Sequence, residues 1–298
     1  MKVIYIKSFE DLKLIEPNIN IVLGLFDGLH VGHCQLISTA RYLSKGKLAV
    51  LSFDGNLKVN DKQVLMAMDD KLEGFERLGA DYAYIFRCDE EFKRIDHITF
   101  INKILKKFEP IRIFCGPDFK FGFKAQGNID TLKSRFSNVT VLNYVNDYKG
   151  DKISSSDIKN LIREGKLEEA KTSLGHVFHV NGKIVEGLHN GKKIGFPTAN
   201  LLCKTKYVLP KPGVYITKIL IDGKRYKAMT NIGTHPTINE LEKPSIETYI
   251  LDFDENIYNK YVRVCFYKRL RDEVKFDSLI KLQNTLKENE EEVRKFFN

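Results

Sequence analysis

Long apolar runs, cysteine pairs and blocks of like charge are all missing from this 298-residue chain. No apolar run approaches the roughly 20 residues that a membrane-spanning helix needs. The start, MKVIYIKSFEDLK, has no apolar core of the kind found in secretion signals. The five cysteines include no CxxC pair, which argues against a zinc site and against a disulfide framework. We therefore expect a cytoplasmic protein with reduced thiols.

Recognisable nucleic-acid-binding patterns are also missing. The net charge is +9, but the basic residues are spread out, and no RNP, zinc-finger or heptad pattern is present. Such a balance suits anionic small molecules at least as well as nucleic acid. We expect small-molecule substrates, with no nucleic acid, no membrane and no obligate protein partner.

The chain is long enough for two domains with separate cores. Strand-like and helix-like segments alternate through the first half, which predicts a parallel sheet with helices on both faces. After Gly175, short strands separated by turn signals predict an antiparallel barrel or sandwich. One last helix is predicted to begin near Asp277, a plausible N-cap. The predicted domains are 1–174 and 175–298.

The segment GLFDGLHVGH, residues 24–33, joins a predicted strand to a predicted helix. Ligands of α/β sheets bind where strand ends meet helix N-termini, and glycines there let the backbone approach a ligand closely. His30 and His33 would lie on one side of the helix start, where a neutral imidazole can donate to a phosphate oxygen. This arrangement suits nucleotidyl transfer, in which an acceptor phosphate attacks the α-phosphorus of ATP. The alternative is a tight turn with two surface histidines.

This segment resembles the first signature of the FMN adenylyltransferase half of bacterial bifunctional riboflavin kinase/FAD synthetases, and more distantly the HxGH nucleotidyltransferase superfamily. ISSSDIK, residues 153–159, resembles the second signature, and GPDFKFGFKAQGN, residues 116–128, resembles a segment near the flavin. Lys159 departs from the usual arginine, and FDGNLK, residues 53–58, stands where many members have FDPHP. The resemblance implies a Rossmann-like domain with His30 and His33 as catalytic residues, Gly24, Phe26, Asp27, Gly32, Ser155, Ser156 and Lys159 at ATP, and Asp118 and Phe121 at the flavin.

A purely structural interpretation of two of these segments stays open. Serines at a helix start often cap the helix and do nothing else. Aromatic residues after a strand are more often part of a core than of a ligand site.

The segment GKIVEGLHNGKKIGFPTANL, residues 182–201, has glycines every four residues with lysines between them. It can form a basic flap over phosphates, although a mobile surface hairpin is the more common outcome. In an extended chain Thr198 and Asn200 point the same way. Their hydroxyl and amide oxygens suit Mg²⁺ carried by the phosphates of a nucleotide. The alternative is a polar strand edge.

In SIETYILDF, residues 245–253, strict alternation puts Glu247 on an otherwise apolar face with Tyr249, Leu251 and Phe253. A carboxylate in that position is either paired with a cation or held in a pocket as a general base for a substrate hydroxyl. A glutamate at a strand end that reaches solvent is the alternative.

From Gly175 onward the chain resembles riboflavin kinase, whose fold is a small six-stranded antiparallel β-barrel. The matching segments are GFPTANL, GVY, NIGTHPT, ETYILDF and RLRDEVKF, with Tyr249 in place of a histidine and His235 in place of an arginine. The resemblance implies Glu247 as catalytic base, Gly187, Gly191, Lys192, Gly195, Pro197, Thr198 and Asn200 at Mg-ATP, with Thr198 and Asn200 nearest the metal, and Arg271 at the flavin.

Together these features predict phosphorylation of riboflavin to FMN in the second domain and adenylylation of FMN to FAD in the first, with ATP as co-substrate and Mg²⁺ as cofactor. One alternative is an active kinase with a degenerate, weakly active adenylyltransferase domain, which Lys159 and FDGNLK motivate. Another is a non-enzymatic regulator that binds flavin or nucleotide.

Overall fold

A computed structural model of the chain describes residues 1–54, 63–147, 149–187, 195–234 and 244–298. The chain divides into two compact units, residues 1–155 and 156–298. Each unit is built on one sheet.

The first unit is built on a six-stranded parallel sheet, as the strand–helix alternation predicted. Its strands are β1 (Lys2–Ile6), β2 (Asn20–Leu23), β3 (Leu48–Asp54), β4 (Tyr82–Arg87), β5 (Arg112–Cys115) and β6 (Val139–Val141). They lie in the order β1-β4-β3-β2-β5-β6, and every pairing is parallel. All four residues of β2 are buried, which is typical of a central parallel strand covered on both faces.

Helices cover both faces of this sheet. Successive residues of β2 enter different cores, because Val22 joins a cluster with Ile37 and Phe75 while Ile21 and Leu23 join another. The α-helices of this unit are α1 (Val31–Leu43), α2 (Met68–Arg77), α3 (Glu90–Lys93), α4 (His97–Thr99) and α5 (Ile129–Lys133). Shorter turns are the 3-10 helices Phe9–Leu14, Asp27–Leu29, Leu105–Phe108 and Phe123–Ala125 and the π-helix Phe100–Ile104.

The strand order reverses direction between β2 and β5. From β2 the chain moves to β3 on one side, and it later returns to β5 on the other side of β2. In open α/β sheets, ligands bind in the crevice at such a switch point, outside the carboxyl ends of the strands. The segment of residues 24–33 leaves β2 at this place.

The second unit contains a closed six-stranded antiparallel barrel, which confirms the predicted fold. Its strands are β7 (His179–Val185), β8 (Thr198–Leu202), β9 (Gly213–Ile221), β10 (Lys224–Thr234), β11 (Pro244–Ile250) and β12 (Tyr261–Arg271). They follow the order β10-β11-β8-β7-β12-β9, and β9 closes the ring by pairing with β10.

Two helices precede the barrel strands in the chain, α6 (Ser155–Arg163) and α7 (Leu167–Leu174), and one follows them, α8 (Leu279–Phe296). The predicted N-cap of α8, Asp277, is one residue too early. Ser278 caps the helix because its hydroxyl accepts from the backbone N–H of Lys281 at 3.3 Å, while Asp277 pairs with the Lys281 ammonium at 2.9 Å.

Two global properties concern the described residues. Among them, no helix is both long and apolar enough to cross a membrane. All five cysteines are free thiols.

Candidate active sites

The turn after β2 has an unusual backbone. Phe26, Gly28 and Leu29 have φ angles of 55°, 78° and 41°, in the left-handed region that non-glycine residues seldom adopt. The Phe26 ring folds back over the chain, so that a Cβ at Gly24 would lie 2.7 Å from its Cζ atom. Glycine at position 24 therefore makes room for the ring, which a larger residue would displace.

The structure brings His30 and His33 together at the start of α1. Their rings stack with centroids 3.5 Å apart, and the Phe26 ring packs edge-on against His33 at 5.3 Å. His30 caps the helix, because its Nδ1 accepts from the backbone N–H of His33 at 3.4 Å. An accepting Nδ1 leaves the proton of the neutral ring on Nε2, which is then available as a donor. We call His30, His33 and their turn, residues 24–33, the histidine site.

Both imidazoles of the histidine site favour the neutral form. Burial lowers the pKa of His30 to about 4, with the charge of Lys152 acting in the same direction and Asp118 opposing it. Burial, His30 and Lys71 together hold the pKa of His33 well below its usual value. Two neutral rings beside a helix N-terminus are N–H donors suited to phosphate oxygens at pH 7.

Loops after β5 and β6 complete this edge of the sheet. Asp118, after β5, pairs with the ammonium of Lys152 at 2.5 Å, and that ammonium also lies 4.1 Å above the Tyr144 ring. The Asp118 carboxylate therefore has a cation partner. Phe121 is 7% exposed and belongs to the core with Phe100, so little of its ring is open to a ligand.

Ser155 ties the start of α6 to the histidine site. Its hydroxyl donates to the carbonyl oxygen of Asp27 at 2.9 Å, and the Asp27 carboxylate accepts from the backbone N–H of Leu65 at 2.8 Å. Ser156 lies in the first turn of α6, and Lys159 lies in the same helix with only 4% of its surface exposed. Ser156 and Lys159 belong to the second unit.

In the barrel, three polar residues lie side by side across neighbouring strands. Glu247 of β11 pairs in register with Asn200 of β8 and with Asn231 of β10. Paired residues project from the same face of a sheet, so these three side chains are neighbours. We call Asn200, Glu247 and Asn231 the glutamate site.

The two faces of β11 have different surroundings. Ile246, Thr248 and Ile250 are buried, while Glu247 and Tyr249 are half-buried. Tyr249 packs against the cluster that contains Leu251 and Val293 of α8. Because β11 ends at Ile250, the predicted alternation does not continue to Leu251 and Phe253. Thr248 instead belongs to a buried hydroxyl chain with Thr230 and Thr217, at 3.0 and 2.9 Å.

Two further contacts surround the glutamate site: Gly187 packs on Asn200, and Asn231 bonds to Glu273. A Cβ at Gly187 would lie 2.0 Å from Asn200 Nδ2, so the backbone of residue 187 rests directly on that amide. Asn231 Nδ2 donates to Glu273 Oε1 at 3.1 Å. Sequence patterns did not single out Asn231 or Glu273, because only the strand register and the return of the chain after β12 bring them here.

A cavity of about 440 Å³ opens beside β8 and β11. Pro197 and Thr198 line it, together with Thr248, Phe253 and Tyr258. Gly195, just before, has a φ of +80°, and no atom of the described residues lies within 4 Å of where its Cβ would be. Gly191, Lys192, His235 and the larger part of FDGNLK lie outside the described residues.

Arg271 has a structural contact in this conformation. Its Nε donates to Asn289 Oδ1 of α8 at 2.8 Å, and its Nη1 donates to the carbonyl oxygen of Asp272 at 3.0 Å. These bonds tie the end of β12 to the last helix. A flavin contact by Arg271 would require the guanidinium to exchange these partners.

The described residues contain no group of three or more His, Cys, Asp or Glu side chains that could hold a metal ion. Thr198 and Asn200 alternate along β8, and Asn200 lies beside the Glu247 carboxylate. This set of hydroxyl, amide and carboxylate oxygens fits a hard cation such as Mg²⁺ that arrives with a nucleotide.

Comparison with known proteins matches both halves of the chain. An FAD synthetase family model matches residues 13–157, and a riboflavin kinase model matches residues 174–297. The chain is 35% identical to the bifunctional riboflavin kinase/FMN adenylyltransferase of Listeria monocytogenes, covering 92% of this chain and 91% of that protein. The Bacillus subtilis protein of the same name is 30% identical over the same shares.

A solved structure matches almost the whole chain. It is described as a macrolide-efflux protein from Streptococcus pneumoniae, with 30% identity, a TM-score of 0.89 and 99% of each chain covered. That description differs from those of the family models and curated relatives, which agree with one another on both halves.

Proposed function

Because this chain belongs to the bifunctional riboflavin kinase/FMN adenylyltransferase family, we propose that it makes FMN at the glutamate site and FAD at the histidine site. Each reaction consumes one ATP. The observation that carries this proposal is the presence of both constellations in one chain: stacked neutral histidines at a switch point, and a glutamate between two asparagines on a barrel.

At the histidine site, a phosphate oxygen of FMN attacks the α-phosphorus of ATP, and pyrophosphate leaves with the electron pair of the broken bond. Charge spreads over the phosphate oxygens during this step, and the protein stabilises it with positioned donors. His30 and His33 supply neutral N–H groups, and the N-terminus of α1 supplies backbone N–H groups and a partial positive charge. Ser155 supports the turn through Asp27.

Asp118 and Lys152 form the outer part of the proposed histidine site. Lys152 can exchange Asp118 for a phosphate, since the pair is exposed to solvent and such pairs are weak. Ser156 and Lys159 stay proposed ATP contacts on the strength of the family motif. Phe121 stays a proposed flavin contact on the strength of the family motif alone.

At the glutamate site, Glu247 takes the proton of the terminal ribityl hydroxyl of riboflavin while that oxygen attacks the γ-phosphorus of ATP. Asn200 and Asn231 flank Glu247 on the neighbouring strands. The 440 Å³ cavity beside β8 has Pro197 and Thr198 in its wall and offers room for part of a substrate next to the strand that carries Asn200; from β11 it is lined by Thr248 and Ile250 rather than by Glu247. Gly187 lets its own backbone come close to Asn200, and the positive φ of Gly195 suits a glycine.

Mg²⁺ is the proposed cofactor of the kinase reaction, and Thr198 and Asn200 would hold it with the phosphates of ATP. Held by these two residues, Mg²⁺ would supply charge neutralisation to the phosphates of ATP. Both residues are half-buried on one strand, so they present their oxygens without a large rearrangement.

We further propose that the two activities belong to domains 1–174 and 175–298, with no obligate protein partner, in the cytoplasm. Five free cysteines fit a reducing compartment. The substrates riboflavin, FMN and ATP are all small molecules.

The test is product analysis after incubation of the protein with riboflavin, Mg²⁺ and ATP. We expect FMN to appear first and FAD to follow, with pyrophosphate released in the second step. Accumulation of FMN without FAD would favour the second candidate, a kinase with a weak adenylyltransferase, which the deep burial of Lys159 supports. Absence of both products would contradict the proposal.

A further inference from the structure

A buried lysine lies behind the histidine site. Lys71 of α2 is only 5% exposed, and its ammonium donates to the carbonyl oxygen of Leu25 at 2.9 Å and to Ser52 Oγ at 3.2 Å. Both of these oxygens are neutral. Burying a cation is costly unless a partner charge or a function compensates for it.

Hydrogen bonding alone does not explain a lysine at this place. Ser52 Oγ already donates to the same Leu25 carbonyl at 3.0 Å, so that oxygen has a partner without the ammonium. An apolar residue on α2 would fill the space at a smaller desolvation cost. What the lysine adds is a fixed positive charge between the end of β3 and the turn after β2.

Titratable groups surround Lys71 on three elements. Asp27 approaches from the turn after β2, Asp54 from the end of β3, and His33 from α1. Asp70, also buried, precedes it on its own helix. Burial lowers the pKa of Lys71 to about 8, and Asp27 and Asp54 oppose this shift, so the lysine carries its charge at pH 7.

The contact with Leu25 acts on the most constrained part of the turn. Leu25 directly precedes Phe26, the first residue with a left-handed backbone, and the Phe26 ring packs on His33. A bond from α2 to the Leu25 carbonyl therefore fixes the start of the turn that carries both histidines.

We propose that Lys71 is a positioning residue for adenylyl transfer: it holds the turn of residues 25–29 against β3 and keeps a buried positive charge behind His33. This inference rests on the proposed function of the histidine site. Lys71 does not touch the substrate, because its ammonium is enclosed by protein. Its charge favours the neutral form of His33 and helps to stabilise the negative charge that develops on the phosphates during transfer.

The test uses the full-length protein with Lys71→Met, Lys71→Arg and Ser52→Ala. Because a small misplacement of catalytic groups costs about 10²-fold, we expect Lys71→Met to lower kcat for FAD formation from FMN by about that factor, with KM for ATP within a few-fold of wild type. Lys71→Arg keeps the charge and should recover at least tenfold of this loss. Ser52→Ala keeps the ammonium and should lose less than tenfold.

A pH profile separates positioning by charge from simple packing. In the wild type, kcat for FAD formation should decline above pH 8 as Lys71 loses its proton, and in Lys71→Arg this decline should move at least one pH unit upward. An unchanged decline in Lys71→Arg, or equal losses in the Met and Arg variants, would overturn the proposal. So would a folded Lys71→Met protein with kcat within threefold of wild type.

Two control measurements separate an effect on adenylyl transfer from a general loss of folding. Riboflavin phosphorylation by the same variants, with a thermal melt of each, reports the integrity of the chain. If Lys71→Met fails to fold, the wild-type and Lys71→Arg pH profiles still decide the question. If the wild type itself makes no FAD, the proposed function of the histidine site fails, and this outcome is distinct from a failure of the Lys71 proposal.

Discussion

His30 and His33 are both held in the neutral form. Lys71 and Lys152 both disfavour a further positive charge there, and burial acts in the same direction. A neutral ring donates one N–H, whose position its other nitrogen determines. In His30 that other nitrogen accepts from the His33 backbone, so the helix cap itself orients the donor.

Under the proposed function, each ring donates to charge that develops in the transition state, so removing either ring removes one donor. His30→Ala or His33→Ala should lower FAD formation by about 10²–10³-fold, while phosphorylation of riboflavin stays near the wild-type rate. Both half-reactions should be assayed on the same protein preparation. His176→Ala, a histidine outside the histidine site, serves as the matched control and should change neither rate. Parallel loss of both activities would indicate misfolding.

The lowered pKa of His30 also links pH to stability. The unfolded chain binds this proton near pH 6.5 and the folded chain only near pH 4, so stability is lost as pH falls through that window. The full effect of His30 is on the order of 3 kcal/mol. Urea unfolding of wild type and His30→Asn between pH 7 and 4 measures it. The variant should lose less stability than wild type over this range, and parallel curves would contradict the assigned pKa.

At the scale of secondary-structure elements, sequence patterns located most of the fold. The alternation of strand-like and helix-like segments in the first half predicted the parallel sheet, in which β2 to β5 are neighbours of α1 and α2 along the chain. Strand β1 was not predicted, although it forms one edge of the sheet. The barrel followed from short strands with turn signals and from the family resemblance.

Contacts between segments that are distant in the chain could not be predicted from local sequence patterns. The left-handed backbone at Phe26 depends on how its ring packs over Gly24 and against His33. The neighbours of Glu247 depend on the register of three strands. Lys71 looks like an ordinary surface lysine in its helix, because its burial is decided by the turn after β2 rather than by its own periodicity.

Close packing of Gly187 on Asn200 provides a test of the glutamate site at this scale. A methyl group at residue 187 would lie 2.0 Å from the Asn200 amide, so one of the two must move. Gly187→Ala should lower riboflavin phosphorylation by about 10²-fold, because a misplaced neighbour of the base costs about that much. FAD formation from FMN provides the internal control and should not change. A kinase rate within threefold of wild type would show that the Asn200 position is unimportant.

At the scale of the whole molecule, the chain divides into two compact units. The compact division falls at 155/156, whereas the proposed functional boundary falls at 174/175. Helices α6 and α7 lie between these positions, and α7 buries Leu167, Ala170 and Leu174. Glu168 of α7 pairs with Lys268 of β12 at 3.8 Å.

Two fragments test the autonomy of the barrel. A fragment of residues 153–298 should fold and phosphorylate riboflavin. A fragment of residues 175–298 should also be active but unfold at a lower temperature, because it lacks the apolar contacts of α7. Thermal melts and kinase assays of both fragments check this. Inactivity of both, beside an active full-length protein, would contradict the proposal that the barrel works alone.

The central claim is that two independent sites work in succession, and Glu247→Gln tests it most directly. Glutamine keeps the shape of the side chain but cannot take a proton, and loss of a general base is worth roughly 10²–10⁴ in rate. Both half-reactions should be measured on the purified variant, with a thermal melt to establish folding. The variant should fail to make FMN from riboflavin and still make FAD at the wild-type rate when FMN is supplied. Riboflavin phosphorylation near the wild-type rate would contradict the account and leave Glu247 with a structural role.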